Sequence, residues 1–134
     1  MTPPDEIKAL MADVLDQMQA KYPVGCRASE AEDEGESYWD LHVWPALVVD
    51  ADGTESYEPE VVYRLDTILP AFDRVEDAVL INGDVYIRGH KGPWAVDLTL
   101  RRTPPDDVRP MWRIDADGNA EYLGGRARGA SALN

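Results

Sequence analysis

Residues 78–102, "AVLINGDVYIRGHKGPWAVDLTLRR", decide the fold. Asn82-Gly83 is the dipeptide that best tolerates the left-handed backbone of a two-residue hairpin turn, and it lies between two runs rich in β-branched residues. Further on, Trp94, Val96, Leu98 and Leu100 alternate with Ala95, Asp97, Thr99 and Arg101. Successive side chains of a strand point to opposite faces, so one face here is apolar and the other polar. That is the pattern of an antiparallel sheet packed on one side only. The intervening "RGHKGP" reads as a tight connection, because glycine is the default turn residue.

The same alternation extends outward. In "YWDLHVW" (38–44), Trp39, Leu41 and Val43 share a face, with Asp40, His42 and Trp44 on the other. In "EVVYRLD" (60–66), Val61, Tyr63 and Leu65 point one way and Arg64 the other. The stretch "LDTILPAFDRVED" (65–77) reads as an irregular crossover with one helical turn, since Pro70 breaks any longer helix.

Two further stretches resemble one another: "VDADGTESY" (49–57) and "IDADGNAEY" (114–122). A calcium-binding EF-hand loop needs glycine at position six and glutamate at position twelve. Counted from Asp50 and Asp115, glycine arrives at the fourth position (Gly53, Gly118), and the twelfth is Val61 or Arg126. No metal is expected there. Asp first and Gly fourth instead match a type I turn with a glycine bulge, so both stretches are expected to be hairpin turns. Pro45 and Pro59 flank the first hairpin and suggest a bend or an exposed edge. "TPPDDVRP" (103–110) reads as a stiff linker to the last hairpin.

Residues 2–21 are expected to be helical, with Thr2 as N-cap and Pro3 in the first turn. Ile7, Leu10, Met11, Val14, Leu15 and Met18 make one apolar stripe. The expected fold is therefore α+β: one N-terminal amphipathic helix packed on a curved, mainly antiparallel sheet of about five to seven strands. Residues 1–123 form its single domain, and residues 124–134, "GGRARGASALN", read as a disordered tail.

Composition narrows the function. The net charge is −13, which repels nucleic acids and anionic membranes and favours a partner with a basic surface. Three lysines stand against ten arginines, so the acidity also fits a solubility surface in a GC-rich or high-salt organism. No apolar run spans a membrane, and the acidic N-terminus is unlike a secretory signal, so the cytoplasm is the expected compartment. Cys26 stands alone and forms no intramolecular disulfide. Beside carboxylates it is a poor nucleophile. No phosphate loop or dinucleotide fingerprint occurs, and no cofactor or catalytic set is assigned.

Two surfaces are candidates for binding. "CRASEAEDEGES" (26–37) reads as a solvated docking loop carrying Glu30, Glu32, Asp33, Glu34 and Glu36. The polar sheet face gathers Asp40, His42, Trp44, Arg64, Tyr86, Arg88, Asp97, Thr99 and Arg101, a mixture of aromatic and arginine side chains suited to recognition. Asp40 and His42, two apart on a strand, point the same way. The leading expectation is a small acidic interaction protein of inhibitor, immunity or chaperone type. A ligand-binding or catalytic domain using the polar face is the second, and an assembly subunit of a phage or bacterial complex the third.

Overall fold

The computed structural model describes residues 2–19, 24–57 and 62–123. In chain order its elements are helix α1 (Asp5–Asp16), strands β1 (Met18–Gln19), β2 (Gly25–Asp33), β3 (Glu36–Trp44), β4 (Leu47–Asp50), β5 (Glu55–Tyr57) and β6 (Val62–Tyr63), helix α2 (Leu65–Ile68) with a 3₁₀ turn over Leu69–Ala71, then β7 (Arg74–Ile81), β8 (Asp84–Lys91), β9 (Trp94–Leu100), β10 (Trp112–Ile114) and β11 (Ala120–Tyr122).

The Asn82-Gly83 turn forms as expected. Both residues have positive φ, 54° and 87°, and β7 and β8 pair antiparallel from Ile81↔Asp84 back to Arg74↔His90. One register shift, between Val75 and Asp77, leaves Glu76 as a bulge. β8 pairs antiparallel with β9, and β9 pairs parallel with β3. β2 completes a five-stranded sheet of order β2-β3-β9-β8-β7.

Its apolar face carries Ala28, Trp39, Leu41, Val43, Ile87, Val96, Leu98 and Leu100, all buried. Against it lie Ile7, Leu10, Met11 and Val14 of α1, spaced three and four apart and almost wholly withdrawn from water. Each such side chain contributes roughly 1.5–3 kcal/mol on burial. Ile68 and Phe72, from the crossover after β6, close the same core.

The expected single sheet is corrected to two mixed sheets and a short ribbon. The second sheet has order β11-β10-β4-β5, with β4 and β10 parallel at its centre. The two-stranded ribbon pairs β1 with β6. Pro45, with Ala46, stands where the chain leaves the first sheet for the second, the bend expected there; Pro59 lies outside the described residues. Both repeated turns are hairpins as expected, and they are neighbours. In the first, Gly53 N–H donates to the Asp50 carbonyl with φ 88°; in the second, Gly118 N–H donates to that of Asp115 with φ 86°.

Three boundaries move. α1 begins at Asp5, not after Thr2, because a residue preceding proline is pushed out of the helical region and Pro3 precedes Pro4. It ends at Asp16, and Met18 belongs to β1. Leu65 opens α2 rather than continuing a strand with Tyr63, while Arg74–Asp77 belong to β7 rather than to the crossover. The expected tail at 124–134 lies outside the described residues. No described helix is long and apolar enough to cross a membrane.

Candidate functional site

Cross-strand register builds the polar face row by row. One row reads Arg27, His42, Thr99, Tyr86, Val79 from β2 to β7; the next reads Ser29, Asp40, Asp97, Arg88, Asp77. These rows floor a trough of about 480 Å³ lined by Asp40, His42, Asp77, Val79, Ile81, Tyr86, Ile87, Arg88, Asp97, Leu98 and Thr99.

The parallel pairing of β3 and β9 sets Asp40 directly beside Asp97, a like-charge pair. Each carboxylate is engaged by a different neighbour. Arg88 grips Asp97 through two hydrogen bonds, Nε to Oδ1 at 3.0 Å and a terminal nitrogen to Oδ2 at 3.3 Å. The Asp97 carboxylate first, with Glu76 and Asp33 at longer range, holds the Arg88 guanidinium above its ordinary pKa. Asp40 meets His42 Nε2 at 3.1 Å. With the ring neutral and its proton on Nε2, Nδ1 is left as an acceptor; it is buried and lacks a hydrogen-bond partner among the described residues. An acceptor nitrogen without exposed surface is poorly placed to take a proton from a ligand in the trough.

The acidic run is not the solvated loop expected. Residues 25–33 and 36–44 pair continuously from Gly25↔Trp44 to Asp33↔Glu36, closed by a two-residue turn in which Glu34 and Gly35 have φ 50° and 81°. Pairing of β3 with β9 begins only at Trp39, so the hairpin tip projects past the sheet. Glu30, Glu32, Asp33, Glu34 and Glu36 are all exposed on this arm. None of them lies in an ion pair among the described residues.

Sheet curvature brings the arm toward the opposite edge. A second hollow of about 300 Å³, sharing Arg88 and Asp97 with the first, is lined by Asp33, Glu34 and Glu36 from the arm and by Glu76 and His90 from β7 and β8. His90 Nε2 lies 2.7 Å from Glu76 Oε1, and this bond, foremost, depresses the Glu76 pKa. Five carboxylates thus face one guanidinium and one imidazole.

Of the residues expected on the polar face, Asp40, His42, Tyr86, Arg88, Asp97 and Thr99 come together. Three do not line the trough. Trp44 is on the right face but only 1% exposed, lying over Gly25 with the Arg27 guanidinium 5.4 Å from its ring. Arg64 precedes α2 and reaches Asp66 at 3.9 Å. Arg101 turns away, its Nε donating to the Thr103 carbonyl. Sequence reading missed Asp77, Val79 and Ile81 on β7 and Glu76 at the bulge, and it put His90 in a turn, whereas His90 lies within β8 and meets Glu76. Counting back from Asn82-Gly83 places the first three, because a two-residue turn sets 81 opposite 84, 79 opposite 86 and 77 opposite 88.

The remaining chemical candidates recede. Cys26 is buried, and desolvation pushes its thiol up to about 11, so it is protonated at neutral pH. In the repeated turns, Asp52 Oδ1 accepts from Thr54 N–H and Asp115 Oδ1 from Asp117 and Asn119 N–H. These carboxylates are directed at their own backbone. Among the described residues, no group of three or more His, Cys, Asp or Glu is arranged to hold a metal ion. Comparison of the chain with protein-family models, curated proteins and solved structures gave no match in any of the three.

Proposed function

We propose that this protein is a small acidic interaction module that docks on a basic surface of a protein partner. The observation that carries the reading is the arm: five exposed carboxylates on a hairpin held in full register, three of which, Asp33, Glu34 and Glu36, line a hollow with a surplus of negative charge. A preordered hairpin loses less conformational entropy on binding than a mobile loop would. Clustered exposed charge steers a partner of opposite sign and makes the association strongly salt-dependent.

The test is retention of proteins from nuclease-treated lysate of the source organism on the immobilised chain, repeated with Glu30→Gln, Glu32→Gln, Glu34→Gln and Glu36→Gln combined. These side chains are exposed, so the fold tolerates the change. A basic protein retained at moderate salt, released at high salt and held at least tenfold less by the variant is the expected result. Equal retention by both chains refutes the reading.

A second reading has its own observation. Val79 and Ile81 are 39% and 51% exposed and Tyr86 40%, beside the paired polar groups of the 480 Å³ trough. Apolar walls with a few fixed polar groups suit a small ligand. On this reading, His42→Ala abolishes ligand-induced thermal stabilisation in a screen of small molecules while the unliganded melting temperature stays unchanged.

A further inference from the structure

Sheets end in edges, and a long apolar edge invites another strand to pair with it. The chain protects most of its edges. β2, at one side of the five-stranded sheet, carries Glu30, Glu32 and Asp33; β5 and β11, the edges of the second sheet, are three residues each. β7 differs. Among the described residues it pairs with β8 alone, and all eight of its residues are exposed. Its first half is blunted by Arg74, the Glu76 bulge and Asp77. Its second half, Ala78–Ile81, is uncharged and unbulged, and Leu80 is 71% exposed on one side of the sheet while Val79 and Ile81 are exposed on the other.

The geometry points to β7 as an acceptor for an extended segment of a basic protein, which adds as a sixth strand along Ala78–Ile81. Apolar side chains bared on both sides of the sheet fit a segment that is apolar at successive positions. Asp77 precedes this stretch, while Asp84, opposite Ile81, accepts from the Arg102 N–H and has the Arg102 side chain beside it against Gly83. A segment with an apolar centre and basic residues toward the Asp77 end complements this edge of a chain whose net charge is −13. A second copy of this chain does not, since it carries the same charge. The inference rests on the interaction reading only for the sign of the partner's charge; residues 78–81 do not line the hollow that the arm borders.

The test uses the full chain with a capped synthetic peptide that has a Val-Ile-Val-Ile centre and two lysines on each side. Backbone amide exchange is followed by NMR. The expected result is at least tenfold slower exchange at the outward-facing amides of residues 78–81, with affinity falling as salt rises. Leu80→Lys lowers the peptide affinity at least tenfold without changing the melting temperature, since that side chain is exposed. The four-glutamine arm variant leaves the protection in place, so this inference and the arm's role fail separately. Unchanged exchange at 78–81, or equal binding of a glutamate-flanked peptide, overturns the proposal. So does protection already present in the protein alone, or a dimer seen by sedimentation that Leu80→Lys disrupts.

Discussion

Gly25→Ala tests the packing that closes one end of the polar face. Gly25 lies opposite Trp44 in the β2–β3 register, and its φ is not in the left-handed region, so alanine suits the backbone. The obstacle is steric. A methyl carbon there would sit on the indole, 2.5 Å from Cε2, 2.9 Å from Cδ1 and closer still to Nε1. Carbon atoms rest about 3.5–4.0 Å apart, so the ring must retreat by about 1 Å. Trp44 is 1% exposed and has no solvent to retreat into. Overpacking of this kind costs about 1–3 kcal/mol, and a buried ring met head-on belongs near 3. For a domain of this size that lowers the melting temperature by about 10 °C. Thermal unfolding by circular dichroism measures it, with Gly53→Ala as comparison. That site is open but has φ 88°, so only the left-handed strain of about 1 kcal/mol applies. In a Trp44→Leu background the Gly25→Ala penalty falls below about 0.5 kcal/mol, a coupling that a double-mutant cycle reads directly. An unchanged penalty in that background, or a single variant within about 0.5 kcal/mol of the parent, refutes the argument.

Three other outcomes are expected. Cys26 is more basic folded than unfolded, so the unfolded chain loses its proton first as pH rises; stability falls from about pH 9, by up to about 1.4 kcal/mol per pH unit, and in denaturant titrations Cys26→Ala removes the fall below about pH 10, above which Tyr63, also raised by burial, adds its own. Asp52, Asp73, Glu76 and Asp115 are all held below their ordinary pKa, foremost by hydrogen bonds from the Thr54 backbone, the Gly92 backbone, His90 and the Asn119 backbone; their contribution is present above about pH 4 and is lost as pH falls through the folded values, which urea melts from pH 5 to pH 2 will show. Asp115→Ala removes the acceptor of two backbone N–H groups and lowers the melting temperature, whereas millimolar calcium leaves that of the parent unchanged.

What sequence reading recovers and what it loses follow from the range of each signal. Period-two alternation assigns faces, so Asp40, His42, Tyr86, Arg88 and Asp97 were legible as one surface. It is silent about what covers a face, and Trp44 was misassigned because the residue against it is Gly25, on a strand that did not read as one. That strand, "GCRASEAED", is built from glycine, alanine and acids with little intrinsic preference for extended backbone; pairing with β3 makes it a strand. Asn-Gly announces its turn, whereas Glu34-Gly35 offers half the signal. The division into two sheets was not legible at all. It depends on the parallel pairs β3–β9 and β4–β10, and alternation names no partner for a strand.

Those parallel pairs also order events in time. Val48, buried in the second sheet, meets Trp112 from a strand made more than sixty residues later. Its neighbour across the bend, Val43, waits for Leu100. A growing chain can close each local hairpin as it emerges, yet the first sheet lacks its central strand until Leu100 is made and the second until Ile114. Distant pairings of this sort slow folding and leave strand edges bare in the meantime. Nascent chains ending before Trp94 should therefore be sensitive to protease throughout, whereas those ending between Leu100 and Trp112 should stay sensitive only in the second sheet.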